Sequence, residues 1–208
     1  MTDNYSTRRQ HWNKIYETKD TSKVSWYQPL PEMSLRIISE SDLPASASII
    51  DIGGGDSMLA CHLLEIGFKD ISVLDISSSA IEKAARNMEK NAQQIKWIVS
   101  DITEFQPPEE FDFWHDRAAF HFLINDADIN KYVDTARKGI KPGGFLFVGT
   151  FSEIGPETCS GLPVSRYSES GMEARFASDF KKLKCVNELH ITPSGKQQHF
   201  IYCLFRRK

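Results

Sequence analysis

Long apolar runs are missing from this chain. The longest, Phe145-Leu146-Phe147-Val148, is far short of the roughly 20 residues that a membrane-spanning helix needs. The N-terminus from Met1 to Lys14 is polar and lacks the apolar core of a secretory signal. Cysteine is sparse. Cys61, Cys159, Cys185 and Cys203 are scattered with no CxxC pair, so their spacing suggests neither a zinc site nor a small disulfide scaffold. A reducing, cytoplasmic location is the simplest expectation. An excess of either charge is also missing: the formal net charge of −3 gives no bulk electrostatic case for nucleic acid or an anionic membrane surface. No His/Cys/Asp/Glu spacing argues for a metal, and there is no internal repeat, low-complexity tract or second-domain linker.

What is present fits a single domain over residues 1–208, long enough for one sizeable core, with 25% charged and 40% hydrophobic residues. Its organising stretch is Ile49-Ile50-Asp51-Ile52-Gly53-Gly54-Gly55-Asp56-Ser57. The apolar run reads as a buried strand, the glycines end it, and Met58 to Leu64 is compatible with a helix. Strand, glycine turn and helix open a βαβ unit, at whose strand ends nucleotide-like ligands lie. In the dinucleotide fingerprint Gly-x-Gly-x-x-Gly, Gly53 and Gly55 fill the first two places but Met58 stands in the third. Asp51 and Asp56 flank the turn. A pyrophosphate relies on bare amides and a positive dipole, which Asp56 opposes. The same acids suit a ligand carrying positive charge, and S-adenosylmethionine has an ammonium and a sulfonium. An ordinary glycine-rich turn is the alternative.

Along the chain, residues 8–18 carry Trp12, Ile15 and Tyr16 at helical spacing, and Pro31 opens a helix to about Glu40. After the turn, Ile71 to Leu74 is a second strand ending on Asp75. Ser79-x-x-Glu82 reads as a capping box, and Lys96 to Val99 is a third strand ending near Asp101. Phe111 to Trp114 begins a fourth strand ending in His115-Asp116-Arg117. Asp128 is placed to cap a helix closed by Gly139, and Phe145 to Phe151 is a fifth strand. Residues 152–166 read as a long functional loop, and Ser170-x-x-Glu173 starts a further helix. Leu183 to Ile191 and His199 to Phe205, joined by Pro193-Ser194-Gly195, form an antiparallel pair. Right-handed crossovers make the five βα steps a mostly parallel sheet with helices on both faces.

Asp75 stands about twenty residues past the turn, where an acid accepts the two hydrogen bonds of a ribose diol. Otherwise it is a solvated cap of the turn Ser77–Ser79. Ile76, next to it, is placed in the same site. Asp101 is positioned to accept an exocyclic amine while Ile102 covers the ring, or else to cap a helix. At the fourth strand's end, His115 and Asp116 are candidate bases and Arg117 a candidate electropositive group beside the acceptor. The competing account makes Asp116 an N-cap, His115 a hydrogen-bonded structural residue and Arg117 a surface ion-pair partner. Trp12 and Trp26 either cover a sulfonium through the cation–π effect or pack in the core. Cys159 reads as an inert thiol.

Asp-x-Gly-x-Gly after a strand, Asp75, and the closing hairpin together resemble the class I S-adenosylmethionine-dependent methyltransferases over nearly the whole chain. That resemblance implies an α/β, Rossmann-like, seven-stranded mostly parallel sheet with helices on both faces and a C-terminal antiparallel hairpin. It also implies S-adenosylmethionine as cofactor, held by Trp12, Trp26, Asp51, Gly53, Gly55, Asp75, Ile76, Asp101 and Ile102, under a lid formed by residues 1–30. Within the superfamily the chain is most similar to the thiopurine S-methyltransferase-like group, through Trp12 and Trp26, Asp116-Arg117-Ala118, and Cys203-Leu204-Phe205. There an Asp-Arg-Gly stands at the fourth strand's end and its arginine lines the substrate pocket, so Arg117 inherits a substrate role. That family's second arginine is replaced here by Gly195-Lys196. Elongation-factor lysine methyltransferases carry a similar Asp-Lys-Gly. The expected activity is methyl transfer to a small-molecule thiol or other heteroatom, with a protein lysine as the alternative, by a monomer or weak dimer. A nicotinamide oxidoreductase and a non-catalytic module of the same fold are the further alternatives.

Overall fold

The computed structural model describes residues 4–208, with side chains from residue 7 onward. Period-two alternation in the strands is what builds the architecture, because successive side chains leave a strand on opposite faces. In β1 (Ser48–Ile52), Ile50 and Ile52 point to one face and Ile49 to the other. In β9 (Gln197–Arg207), Ile201, Cys203 and Phe205 join the first face, while Phe200, Tyr202 and Leu204 join the second. Each face is then covered by helices. α5 (Asp126–Gly139) and α6 (Glu169–Phe176) bring Ile129, Tyr132, Met172 and Phe176 to one core. α2 (Glu32–Glu40), α3 (Leu59–Glu65) and α4 (Ser78–Met88) bring Ile37, Leu63 and Ile81 to the other. A sheet buried on both faces needs near-continuous apolar strands, which is why β1 has no exposed residue.

The main sheet has seven strands in the order β3-β2-β1-β4-β5-β9-β8, completed by β2 (Asp70–Asp75), β3 (Ile95–Val99), β4 (Phe111–Arg117), β5 (Ile140–Phe151) and β8 (Phe180–Ile191). β1 pairs in parallel with both β2 and β4, so the strand order reverses between β1 and β4. That reversal opens a crevice at their carboxyl ends, the place where α/β sheets take ligands. β8 and β9 form the expected antiparallel hairpin, but the last strand inserts between β5 and β8 and leaves β8 at the edge. Residues 152–166 are partly ordered by a two-stranded ladder, β6 (Thr158–Cys159) with β7 (Leu162–Pro163). No helix among the described residues is long and apolar enough to cross a membrane.

Several local expectations are corrected. α4 is capped by Ser77, whose Oγ accepts from the Ala80 N–H at 3.1 Å, because the Ser79 hydroxyl is drawn away to Glu17. Asn125 rather than Asp128 caps α5, and Ser168 rather than Ser170 caps α6. The apolar segment after Arg117 is only a short 3-10 turn, Phe120–Phe122. Cys185 and Cys203 are joined by a disulfide, since the hairpin register sets them directly opposite. Spacing along the chain does not reveal that register.

Candidate active site

The glycine turn after β1 works through backbone shape. Gly53 (φ +65°) and Gly55 (φ +46°) are left-handed, a conformation other residues adopt at a cost. A Cβ on Gly53 would lie 2.6 Å from the Ala119 side chain, and one on Gly55 would lie 2.3 Å from the Tyr16 hydroxyl. Gly53 therefore faces the crevice, and Gly55 makes room for an aromatic of α1 (Asn4–Thr18). Gly54 carries a constraint that the motif did not suggest: a Cβ there would meet Asp51 Oδ2 at 2.6 Å.

Around this turn the strand ends form one cavity, lined on the β1–β3 side by Ile52, Gly53, Asp75, Ile76, Asp101 and Ile102. Asp75 ends β2 and is 5% exposed. Its Oδ1 accepts the Ser77 N–H at 2.8 Å, and the nearby Gly55 amide also favours its ionised form. Burial pushes its carboxyl up to about 7; the Ser77 amide opposes the rise, while Asp51 and Asp56 add to it. A carboxylate offers about four lone-pair positions, so at least two remain for hydroxyl donors from the cavity. Asp101 Oδ1 accepts from both the backbone and the hydroxyl of Thr103 at 2.8 Å, and its Oδ2 pairs with Arg8 Nη2 at 2.8 Å.

α1 roofs this side. Arg8 also reaches Asp128 at 3.2 Å, Asn13 accepts from Ser77 Oγ at 2.7 Å, and Glu17 accepts from Ser79 Oγ at 2.9 Å. Trp12 stands edge-on to Trp26 (5.9 Å) and Phe122 (5.0 Å), closing an aromatic cover over the cavity. Tyr16 sits among Asp75, Asp56 and Asp51; burial first, and those charges next, raise its hydroxyl well above the ordinary range.

The other end of the cavity is lined by Trp26, Arg117, His121, Phe151, Cys159 and Phe200. Arg117 donates from Nε to the Tyr202 hydroxyl and from Nη1 to the Trp26 carbonyl, each at 3.1 Å, and lies 5.0 Å from the Phe200 ring centre. Its Nη2 is buried without a hydrogen-bond partner, as are both ring nitrogens of His121. Burial, and then the Arg117 charge, hold His121 down at about 3, so it is neutral at physiological pH. Burial raises the Cys159 thiol, in keeping with an inert group.

Two expected bases fall outside the cavity lining. Asp116 is fully buried; its Oδ1 accepts the Ala119 and Phe120 N–H groups (2.7 and 3.1 Å) and its Oδ2 the Tyr132 hydroxyl (2.8 Å). Burial pushes its carboxyl up to about 6. His115 Nδ1 is 2.7 Å from Asp51 Oδ1 and its Nε2 is 2.8 Å from Ser34 Oγ, so neither nitrogen is free for a reacting proton. Asp51, beneath the turn, and Gly55, within it, are also outside the lining. The sequence did not mark Arg8, Tyr16, His121 or Phe200 as site residues. Only the helical spacing of α1 hinted at any of them.

A Rossmann-like sheet with a 3-2-1-4-5 parallel half, a closing antiparallel hairpin, and a buried acid at the end of β2 is the architecture of class I methyltransferases. A "Methyltransferase domain" family model matches residues 49–144. The mouse protein "EEF1A lysine methyltransferase 2" is 30% identical over 191 residues, covering 78% of this chain and 77% of that protein. The chain belongs to the S-adenosylmethionine-dependent methyltransferases and uses S-adenosylmethionine as its cofactor. Among solved structures, the N-methyltransferase NodS of Bradyrhizobium japonicum with S-adenosylhomocysteine is similar at a TM-score of 0.73 and 19% identity, covering 99% of each chain. The 1,6-didemethyltoxoflavin-N1-methyltransferase of Burkholderia thailandensis is similar at 0.74 and 17%, covering 98% of this chain and 88% of that one.

Proposed function

We propose that the chain, as a single domain over 1–208, methylates a small-molecule nucleophile, a thiol or another heteroatom, held at the Arg117 end of the cavity. The carrying observation is the chemistry of that end. Its lining supplies the Arg117 guanidinium, with Nη2 unpartnered, and a neutral His121, while the carboxylates Asp75 and Asp101 lie at the other end. A lysine ammonium brought there meets a like charge. A thiolate, phenolate or ring nitrogen meets donors. Since the sulfonium is already activated, positioning and exclusion of water supply most of the remaining catalysis.

In this reading Asp75 takes the ribose diol, with Ile76 beside it. Asp101 and Ile102 border the adenine, although the Arg8 ion pair already occupies one oxygen of Asp101. Gly53 lets the cofactor approach the backbone, and Trp12 and Trp26, within the lid of residues 1–30, cover the sulfonium. Asp116 and His115 are given structural roles because neither lines the cavity. Arg117 keeps the role implied by the thiopurine methyltransferase resemblance, but a thiopurine substrate is not part of the proposal.

A protein-lysine acceptor is the second reading, favoured by the relatives named as EEF1A lysine methyltransferase 2. Incubation with methyl-labelled cofactor against a small-molecule extract and a protein lysate, fractionated by size, separates the two. Label in the small fraction is expected. Label confined to a protein band would overturn the proposal.

A further inference from the structure

Beneath the glycine turn runs a buried chain of three side chains from three elements: Ser34 of α2, His115 of β4 and Asp51 of β1, exposed by 1%, 4% and 2%. The distances, 2.8 Å from Ser34 Oγ to His115 Nε2 and 2.7 Å from His115 Nδ1 to Asp51 Oδ1, are those of a serine–histidine–aspartate relay. None of the three lines the cavity described above, and the imidazole lies stacked at 5.3 Å on Phe147. Its Nδ1 faces a carboxylate, which only accepts hydrogen bonds, so Nδ1 carries the proton and the Ser34 hydroxyl completes Nε2.

Asp51, like Asp75, has no Lys or Arg partner among the described residues, whereas Asp56 has Lys83 at 3.8 Å and Asp101 has Arg8 at 2.8 Å; what sets Asp51 apart is that a buried imidazole holds it. Its partners are the imidazole and, at 3.4 Å, the Ser57 hydroxyl. Its Oδ2 rests against the turn so closely that Gly54 cannot carry a side chain. A buried carboxylate held by an imidazole, with no Lys or Arg beside it, sets an acid directly under the loop, and the cofactor's amino-acid group brings an ammonium.

We propose that His115 and Ser34 are positioning residues, which orient Asp51 so that its charge, delivered through the Gly53–Gly55 turn, selects the ammonium of the cofactor. The chain also ties α2 and β4 to the turn, so the carboxylate cannot swing away from Gly54. This role rests on the cofactor and not on the identity of the methyl acceptor.

The test compares two ligands that share the nucleoside and differ in the amino-acid group: S-adenosylhomocysteine by calorimetry, and 5′-methylthioadenosine by competition. His115→Phe is expected to weaken S-adenosylhomocysteine about tenfold and leave 5′-methylthioadenosine within about twofold, the loss of one charge-assisted hydrogen bond. His115→Asn, whose amide replaces Nδ1–H, restores most of the loss. Should His115→Phe not fold, Ser34→Ala carries the same test, with an expected weakening of about threefold for S-adenosylhomocysteine alone. An equal fall for both ligands would mean that the chain only supports the fold, and unchanged affinity for both would mean that Asp51 does not sense the ammonium. Either result overturns the proposal.

Discussion

The two ends of the cavity handle their polar groups in opposite ways. On the β1–β3 side they are carboxylates, each with local partners: Asp75 has the Ser77 amide, and Asp101 has Thr103 on one oxygen and the Arg8 ion pair on the other, with, among the described residues there, only Asp101 Oδ2 and Arg8 Nε lacking a hydrogen bond. On the β4–β5–β9 side they are donors and a neutral imidazole, and Arg117 Nη2 and both His121 nitrogens have no partner. A buried polar group left unsatisfied costs about 1–3 kcal/mol, so the second end gains most from being filled. In the proposed reading the first is preorganised for one constant ligand, the cofactor, and the second is completed by the acceptor.

The largest effect expected from breaking this division is Asp75→Ala. Two charge-assisted hydrogen bonds to a diol, at about 1.5–3 kcal/mol each, amount to a loss of a hundredfold or more in S-adenosylhomocysteine affinity by calorimetry. Thermal stability should hold, because the carboxylate removed is desolvated and near Asp51 and Asp56. Undiminished binding would show that the ribose lies elsewhere. Arg117→Ala should act on the other end. Label reaching the small-molecule fraction is expected to fall about tenfold to a hundredfold through KM, with cofactor affinity unchanged within about twofold. A matching fall in cofactor affinity would erase the distinction between the ends.

Titration sharpens the same contrast. Asp75 is raised to about 7 in the folded protein, so its contribution to stability is full below the ordinary carboxylate range and is lost as pH rises through about 7. With Asp75 on the ribose diol, as proposed, cofactor binding is expected to run the other way, since diol hydroxyls need the ionised carboxylate. S-adenosylhomocysteine should bind about tenfold more tightly at about pH 8 than at about pH 6, and Asp75→Asn should flatten that profile. His121, held at about 3, contributes no titration in this window.

How far the sequence disclosed each end follows from how each is built. The proposed cofactor end is local. Ile49 to Ser57 carries strand and turn in consecutive residues and Asp75 ends the next strand, so a short apolar run, the glycine spacing and the distance to the acid were enough to find them. The acceptor end is assembled from β4, the 3-10 turn, β5, the β6 ladder and β9. Nothing in the spacing of His121, Cys159 and Phe200 announces that they meet. The same limit accounts for the bridge between Cys185 and Cys203, which depends on hairpin register, and for the buried relay of Ser34, His115 and Asp51, which joins three elements. His115 and Asp116 were recognisable as chemically capable residues. Alternation along β4 left open which of them faced the cavity, and the structure turns both away from it.

The smallest expected effect comes from His121→Phe, and it tests the contrast where it is most specific. His121 is 1% exposed and packed against Phe122 (4.5 Å) and Phe151 (4.8 Å), so a phenyl ring fits the same aromatic surroundings. Removing two unsatisfied nitrogens relieves a desolvation cost, and the melting temperature of the free protein should rise by a few degrees, about 1 kcal/mol in stability. The acceptor, however, loses a hydrogen-bond partner, and KM for the labelled small molecule should rise about threefold to tenfold while S-adenosylhomocysteine affinity stays level. A variant more stable yet poorer in acceptor affinity is what an end held open for its ligand predicts. A less stable variant with unchanged KM would assign His121 to the core and reduce the acceptor end to Arg117 and its aromatic walls.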